Sequence, residues 1–397
     1  MHSYTERAKR CLAQGHNATN SKRPDQYVQG IYPEHLTDAI GPYVFDKDMR
    51  RYVDFVGALG ANILGYRHPK VQEAAIAQIR TGYVSGSLPH ILEIEVAEML
   101  CEMFHVERVR FLKTGNEATS AAVRIARAYS NKPLVISDGY HGHGDLWTVL
   151  TPPASGVKDF FSINKLTTGA NEEACGALVL ETLELDDSDK RKDYIKAVCN
   201  KYKARNIPII HDEIVSGFRV EKFGITQKWE LDPDIVVFGK AMANGFPIAA
   251  VCGKKELMDQ PDYFISSTFG GEAVSLAAAK ATIKELQHRD MKNFMYYAKR
   301  FQERLNNYLK EIDLEIIGYG SRGMFPTTKN ENAALFMQEA CKAGLLFGKA
   351  YFFSWAHMEE NIEEYVLNIV SDVINKIKVG AVRLEGKAPQ ETFKRYA

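Results

Sequence analysis

The chain has no uninterrupted apolar stretch approaching about eighteen residues, so it offers no candidate membrane-spanning helix. Its first residues, MHSYTERAKRCLAQGHN, lack the apolar core of a secretory signal. Cysteine is sparse and scattered: Cys11, Cys101, Cys175, Cys199, Cys252 and Cys341 form no Cys-x-x-Cys pair. That spacing speaks against a zinc module or a disulfide framework and for separate thiols in a reducing cytoplasm. An excess of one charge is missing too. Fifty Lys and Arg face fifty Asp and Glu, so no overall field draws the chain to nucleic acid or to an anionic membrane. No repeat, low-complexity tract or Pro/Gly/Ser-rich linker divides it.

What is present is an ordinary globular composition. The 397 residues are 45% hydrophobic and 25% charged, enough for one large domain with a smaller companion. After a loop-like stretch over 17–30, GPYVFDKDMRRYVDF reads as a hairpin of short strands. Helical periodicity follows at His68–Arg80 and His90–Phe104. Then short apolar runs alternate with helices: RVRFLKT, PLVISD, GALVLE, NIPIIHDE and DIVVFGK as strands, NEATSAAVRIARAYS and DSDKRKDYIKAVCNKYKAR as helices. Near-continuous apolar strands ending in polar residues fit a mostly parallel sheet covered on both faces, with ligands at its carboxyl ends. Beyond Glu272 the chain is mainly helical and closes on a helix near Met358–Val379. The expectation is an α/β protein with a large domain over 50–290. Both chain ends, 1–49 and 291–397, would form the small domain.

Several clusters carry candidate chemistry. Lys113-Thr114-Gly115-Asn116-Glu117 lies between a strand and a helix, where free N–H groups and the helix dipole can seat a phosphate. It is neither Gly-x-Gly-x-x-Gly nor Gly-x4-Gly-Lys-Ser/Thr, which lowers the dinucleotide and nucleoside-triphosphate readings. Gly139-Tyr140-His141-Gly142-His143-Gly144 offers an aromatic ring for a flat ligand. Zinc on His141 and His143, or a loop with solvated histidines, are its rivals. Asp212 ends one strand and Lys240 the next, so a crossover brings both to one sheet edge. Small and apolar neighbours around Lys240 suit a lysine of lowered basicity and Schiff-base chemistry.

In order and spacing, FLKTGNEATSAAVRIARAY, DGYHGHGD, HDEIVSGFR, PDIVVFGKAMANGFPIAAVCG and STFGGEAVSLAAAKATI resemble class III aminotransferases. The likeness is nearest to the glutamate-1-semialdehyde aminomutase branch and runs from Arg7 to Val379. It implies a fold type I pyridoxal-phosphate transferase: a large domain with a mostly parallel seven-stranded sheet, and a small α+β domain from both chain ends. Lys240 resembles the lysine that holds pyridoxal 5'-phosphate covalently, and Asp212 the carboxylate on its pyridinium nitrogen. Tyr140 matches the residue stacked on the ring, with His141 beside it and Ile214 on the other face. Gly115 and Asn116 match the phosphate-binding pair, where the aminomutases usually carry Gly-Thr. Thr268 is similar to a phosphate-binding threonine from the neighbouring subunit, which implies a homodimer.

Two departures bear on substrate. Where the aminomutases read close to GSWGPM, this chain has GALGAN, with Leu59 at the tryptophan position. Where they read close to SAFEAGFVSTAH, it has FGKAYFFSWAH, with Lys349 at the carboxylate position. The resemblance thus implies an aminotransferase passing an amino group from a donor to an aldehyde or ketone, anionic or phosphorylated, with pyridoxamine phosphate as the intermediate cofactor form. Its rivals are an intramolecular aminomutase, a decarboxylase or racemase, and a non-catalytic protein on the same fold. No metal, nucleic acid or membrane partner is expected.

Overall fold

Backbone hydrogen bonding along this chain alternates local caps with long-range strand pairing. The computed structural model describes residues 3–13, 24–149, 157, 163–166, 172–260, 263–326 and 331–390, so part of the loop expected over 17–30 lies outside it. Helix α1 (Tyr4–Cys11) opens on a capping box in which Ser3 and Glu6 each accept the other's backbone N–H. Strands β1 (Leu36–Ile40), β2 (Tyr43–Asp46) and β3 (Arg51–Asp54) form an antiparallel meander. Helices α2 (Pro69–Arg80) and α3 (Ile91–Phe104) follow.

The alternating part then runs β4 (Arg108–Leu112), α4 (Gly115–Ser130), β5 (Leu134–Asp138), β6 (Ile163–Lys165), β7 (Cys175–Leu180) and α5 (Asp189–Lys203). After these come β8 (Ile209–Asp212), β9 (Ile235–Phe238) and β10 (Ala249–Gly253). These strands make one seven-stranded sheet in the order β4-β10-β9-β8-β7-β5-β6. Six run the same way; β10 pairs antiparallel with both β4 and β9. The expected seven-stranded, mostly parallel sheet is therefore present. Strands β7, β9 and β10 are buried at every position, which explains why their sequences are apolar throughout and do not alternate.

Helix α4 shows how sequence sets position. Thr114 and Glu117 close its N-terminus as a capping box, worth about 1 kcal/mol, and Asn131 ends it in the left-handed region at φ 52°. Its buried face is mostly small: Ala118, Ala121, Ala122 and Ala126, with Ile125, lie in the same apolar cluster as Val135, Val179 and Val237 of the sheet. Short side chains let the helix lie close to the strands and hold its first turn against the sheet's carboxyl rim.

The remainder is α6 (Ala273–Gln287), α7 (Met291–Leu309), β11 (Ile317–Tyr319), β12 (Arg322–Met324), α8 (Glu331–Lys342), β13 (Leu345–Leu346), β14 (Ala350–Phe352) and α9 (Glu363–Lys378). The chain divides into two compact units. One comprises the described residues within 3–59, 64–67 and 294–390; the other those within 60–63 and 68–293. In the first, β13 extends the meander in parallel with β3, and β11-β12-β14 form a second antiparallel sheet. Phe55, stacked on Phe347 at 4.6 Å and on His357 at 4.9 Å, centres its aromatic core. The single helix expected near Met358–Val379 is in fact two. Trp355–Glu359 ends before α9, and Asn361 turns the chain between them at φ 49°. Among the described residues no helix is long and apolar enough to cross a membrane.

Candidate active site

The second unit gathers its polar groups at the carboxyl ends of β4, β5, β7, β8 and β9, the rim where open α/β sheets receive ligands. Strands β8 and β9 are parallel neighbours, with Asp212 opposite Val237. Lys240 lies just past the end of β9, so Asp212 and Lys240 stand at the carboxyl ends of neighbouring parallel strands.

Asp212 is buried and its two oxygens are divided between two partners. Oδ1 accepts the backbone N–H of Ile214 at 3.0 Å, and Oδ2 lies 2.8 Å from His141 Nδ1. The ring's other nitrogen, Nε2, lies 3.1 Å from the Asp138 carbonyl oxygen. The ring is thus held from both of its nitrogens. The indole of Trp147 leans on the ring with centroids 5.0 Å apart. His141 is thus neither a solvated histidine nor a companion of His143, which is exposed. Among the described residues no group of three or more His, Cys, Asp or Glu is placed to hold a metal.

Glu213, next in sequence, turns away. Its carboxylate accepts the N–H groups of Ile225 at 2.7 Å and Thr226 at 2.9 Å, and the hydroxyls of Thr226 at 2.7 Å and Ser216 at 3.2 Å. It caps the helical turn Ile225–Lys228 from inside, and burial pushes its carboxyl up despite those donors. His211, on the other side of Asp212, is also sealed in the core. Burial drives it down to about 3, so it is neutral.

The first turn of α4 faces the same rim. A Cβ added at Gly115 would come within 2.6 Å of Ile214 Cδ1, so glycine lets Ile214 pack against the helix start without moving its side chain. Asn116 Oδ1 accepts the backbone N–H groups of His143 at 3.1 Å and Gly144 at 2.7 Å. Tyr140 is half-buried, and its N–H donates to Glu181 Oε2 at 3.0 Å. Lys240, also half-buried, has φ 40°, a left-handed conformation that costs a non-glycine residue about 1–3 kcal/mol and collects at functional positions. Fully buried Phe238, Ala241, Met242 and Ala243 hold the backbone there.

Thr268 sits exposed on a turn before α6. Glu272, the N-cap of α6, pairs with Lys113 at 2.6 Å and so ties this turn to the start of α4. Lys349 and Leu59 belong to the first unit. Lys349 precedes β14, its carbonyl accepting the Phe325 N–H at 2.9 Å, and Leu59 is left-handed at φ 58°. Sequence reading missed Glu181 and Thr119 as supports of the Tyr140 loop. Only the glycine spacing of that loop signals how closely other side chains approach it.

Comparison with known proteins gives this rim its context. The family model described as aminotransferase class-III matches residues 29–167 and 157–359. A glutamate-1-semialdehyde 2,1-aminomutase of Methanothrix thermoacetophila is 29% identical over 367 residues, covering 84% of each chain. The fold is similar to that of the pyridoxal-phosphate form of the Sphingopyxis sp. MTA144 FumI protein. There the TM-score is 0.83 at 21% identity, over 97% of both chains. An omega-transaminase from Sphaerobacter thermophilus aligns with a TM-score of 0.80 at 21% identity, over 94% of this chain and 97% of that one. The chain belongs to the class III aminotransferases, the pyridoxal-phosphate-dependent family whose motifs its rim carries.

Proposed function

We propose that this rim is the cofactor site of an aminotransferase working in two half-reactions, first with an amino donor and then with a carbonyl acceptor. The observation that carries the reading is one edge of the sheet. It brings together a buried carboxylate, a lysine in a strained backbone, an aromatic loop and a capped helix N-terminus. The residues fit a flat, phosphorylated, pyridinium-bearing group. Gly115 and Asn116 lie on the first turn of α4 and would face its phosphate with backbone N–H groups. Tyr140 and Ile214 would take its two faces and Asp212 its ring nitrogen. When bound, pyridoxal phosphate supplies an electron sink for charge developed at the donor's Cα. Lys240 would hold the group covalently. Once displaced by the donor, its Nζ would take the proton from Cα and return it to the cofactor side.

The test is a screen of amino donors on the holoprotein without acceptor. Conversion of the bound chromophore to its amine form, with stoichiometric keto product released, is the expected result. The similarity to glutamate-1-semialdehyde aminomutases favours a second reading, an internal transfer. Retention of every donor carbon on the protein, with no keto product, would establish that one instead.

A homodimer with Thr268 reaching the partner's phosphate fits the surface beside that residue. Leu88 is 79% and Phe264 78% exposed, with Ile91, Ile94 and Phe269 exposed nearby. A groove lined by Pro89, Ile94, Ile265, Ser267 and Gly270 joins the two segments that carry them. Apolar side chains exposed beside a cofactor loop suit an interface between subunits.

For substrate, we propose that Lys349 selects an anionic acceptor, since a cation at a partly desolvated position favours an anion and opposes a second ammonium. Lys349→Ala is expected to raise KM for a carboxylated or phosphorylated carbonyl compound about tenfold, about 1.4 kcal/mol, with kcat little changed. An unchanged KM for every anionic acceptor would leave this lysine without that role.

A further inference from the structure

We propose that Asn116 is a positioning residue: its side-chain oxygen clamps the Tyr140–Gly144 loop to the first turn of α4 and thereby sets His141 on Asp212. The inference deepens the cofactor reading and rests on it for its consequence, though the clamp itself is a property of the protein alone. The family resemblance assigns Asn116 only to the phosphate. The geometry gives its Oδ1 a different task.

Two main-chain donors converge on that atom, His143 N at 3.1 Å and Gly144 N at 2.7 Å. Two N–H groups on one side-chain atom identify it as the oxygen of the amide. The loop is shaped around it. A Cβ on Gly142 would lie 2.4 Å from Oδ1 and one on Gly144 3.0 Å, and Gly142 has φ +134°. One turn further along α4, Thr119 grips the same loop from its other polarity. Its hydroxyl donates to the His141 carbonyl at 2.6 Å while accepting the Trp147 indole N–H at 3.1 Å. The helix therefore holds both ends of the dipeptide that follows His141, and His141 reaches Asp212 at 2.8 Å from a loop pinned at two points.

Asparagine has the reach that this clamp needs, and threonine, the residue that the resemblance implies here, does not. A hydroxyl sits on Cβ, one bond short of the amide oxygen, and cannot span to both N–H groups from the same helix position. The clamp also means that the His143 and Gly144 amides point to Asn116 and are not donors to a phosphate. The first-turn amides of α4 are left for that purpose.

Hydrogen–deuterium exchange on the full chain tests the clamp, with and without pyridoxal phosphate. The informative peptide covers residues 141–148, compared among wild type, Asn116→Leu, Asn116→Thr and Asn116→Asp. Loss of the acceptor in the leucine and threonine variants is expected to speed exchange at His143 and Gly144 about tenfold or more, with α4 itself unchanged. The aspartate variant keeps an oxygen in place and is expected to restore wild-type protection. Its added negative charge should weaken cofactor binding, which separates the two duties of the residue. If the leucine variant does not fold, the threonine and aspartate pair carries the comparison. Wild-type protection in Asn116→Thr, or none restored in Asn116→Asp, overturns the proposal. Failure of every variant, wild type included, to bind pyridoxal phosphate would sink the cofactor reading and leave the exchange result standing.

Discussion

Lys240→Ala is expected to lower turnover by about four orders of magnitude or more, to the background left by binding alone. The lysine extends from a backbone fixed at φ 40° between fully buried Phe238 and Ala241, so no neighbouring residue can shift to supply an amine in its place. Borohydride reduction of the wild-type holoprotein should fix a pyridoxyl adduct on the peptide containing Lys240, and none should form in the variant. An adduct on another lysine, or an undiminished chromophore in the variant, refutes the assignment. The same variant tests the dimer. A mixed dimer of one Lys240→Ala subunit with one Thr268→Ala subunit places both defects in one site if Thr268 acts across the interface. Its other site is then intact, and about half of wild-type activity should return. Near-zero activity would mean that Thr268 serves its own subunit.

The sheet, and the placing of Asp212 and Lys240 at the ends of neighbouring strands, were legible because both rest on short-range pattern. Uninterrupted apolar runs such as GALVLE and DIVVFG mark strands buried on two faces, and the first polar residue after each run marks the rim. Thr114 and Glu117 likewise announce the start of α4 within four residues. What escaped is whatever depends on a distant partner. The run PIAAVCG does not reveal that β10 runs against its neighbours, since direction is set by the connection and not by composition. Glu213 is a second carboxylate directly beside Asp212 in sequence, and only the fold shows it capping Ile225–Lys228. Nor does any local signal give the left-handed turn Gly57-Ala58-Leu59. There Asp54 accepts the N–H groups of Val56 at 2.8 Å and Gly57 at 3.2 Å, together with the Tyr66 hydroxyl at 2.6 Å.

Removing the charge of Asp212 should slow proton removal at the donor's Cα by about three orders of magnitude or more, about 4 kcal/mol in barrier. The argument is electrostatic. A ring nitrogen stays protonated at neutral pH only if a fixed anion lies beside it, and an unprotonated ring is a poor acceptor of charge from Cα. Asp212 suits this task because it is 4% exposed and its orientation is imposed from both sides, by the Ile214 N–H and by His141. Water therefore screens the charge little, and the carboxylate needs no reorganisation during the reaction. Asp212→Asn is the sharper variant. Its amide oxygen can still accept the Ile214 N–H, so the local fold and the cofactor's phosphate contacts should survive while the charge is lost. The expected result is near-normal cofactor occupancy with a slow single-turnover rate, and Asp212→Ala should be at least as slow. A loss of only a few-fold, at full occupancy, would show that another group keeps the ring protonated. Glu213, spent on four donors around Ile225–Lys228, is not placed to be that group.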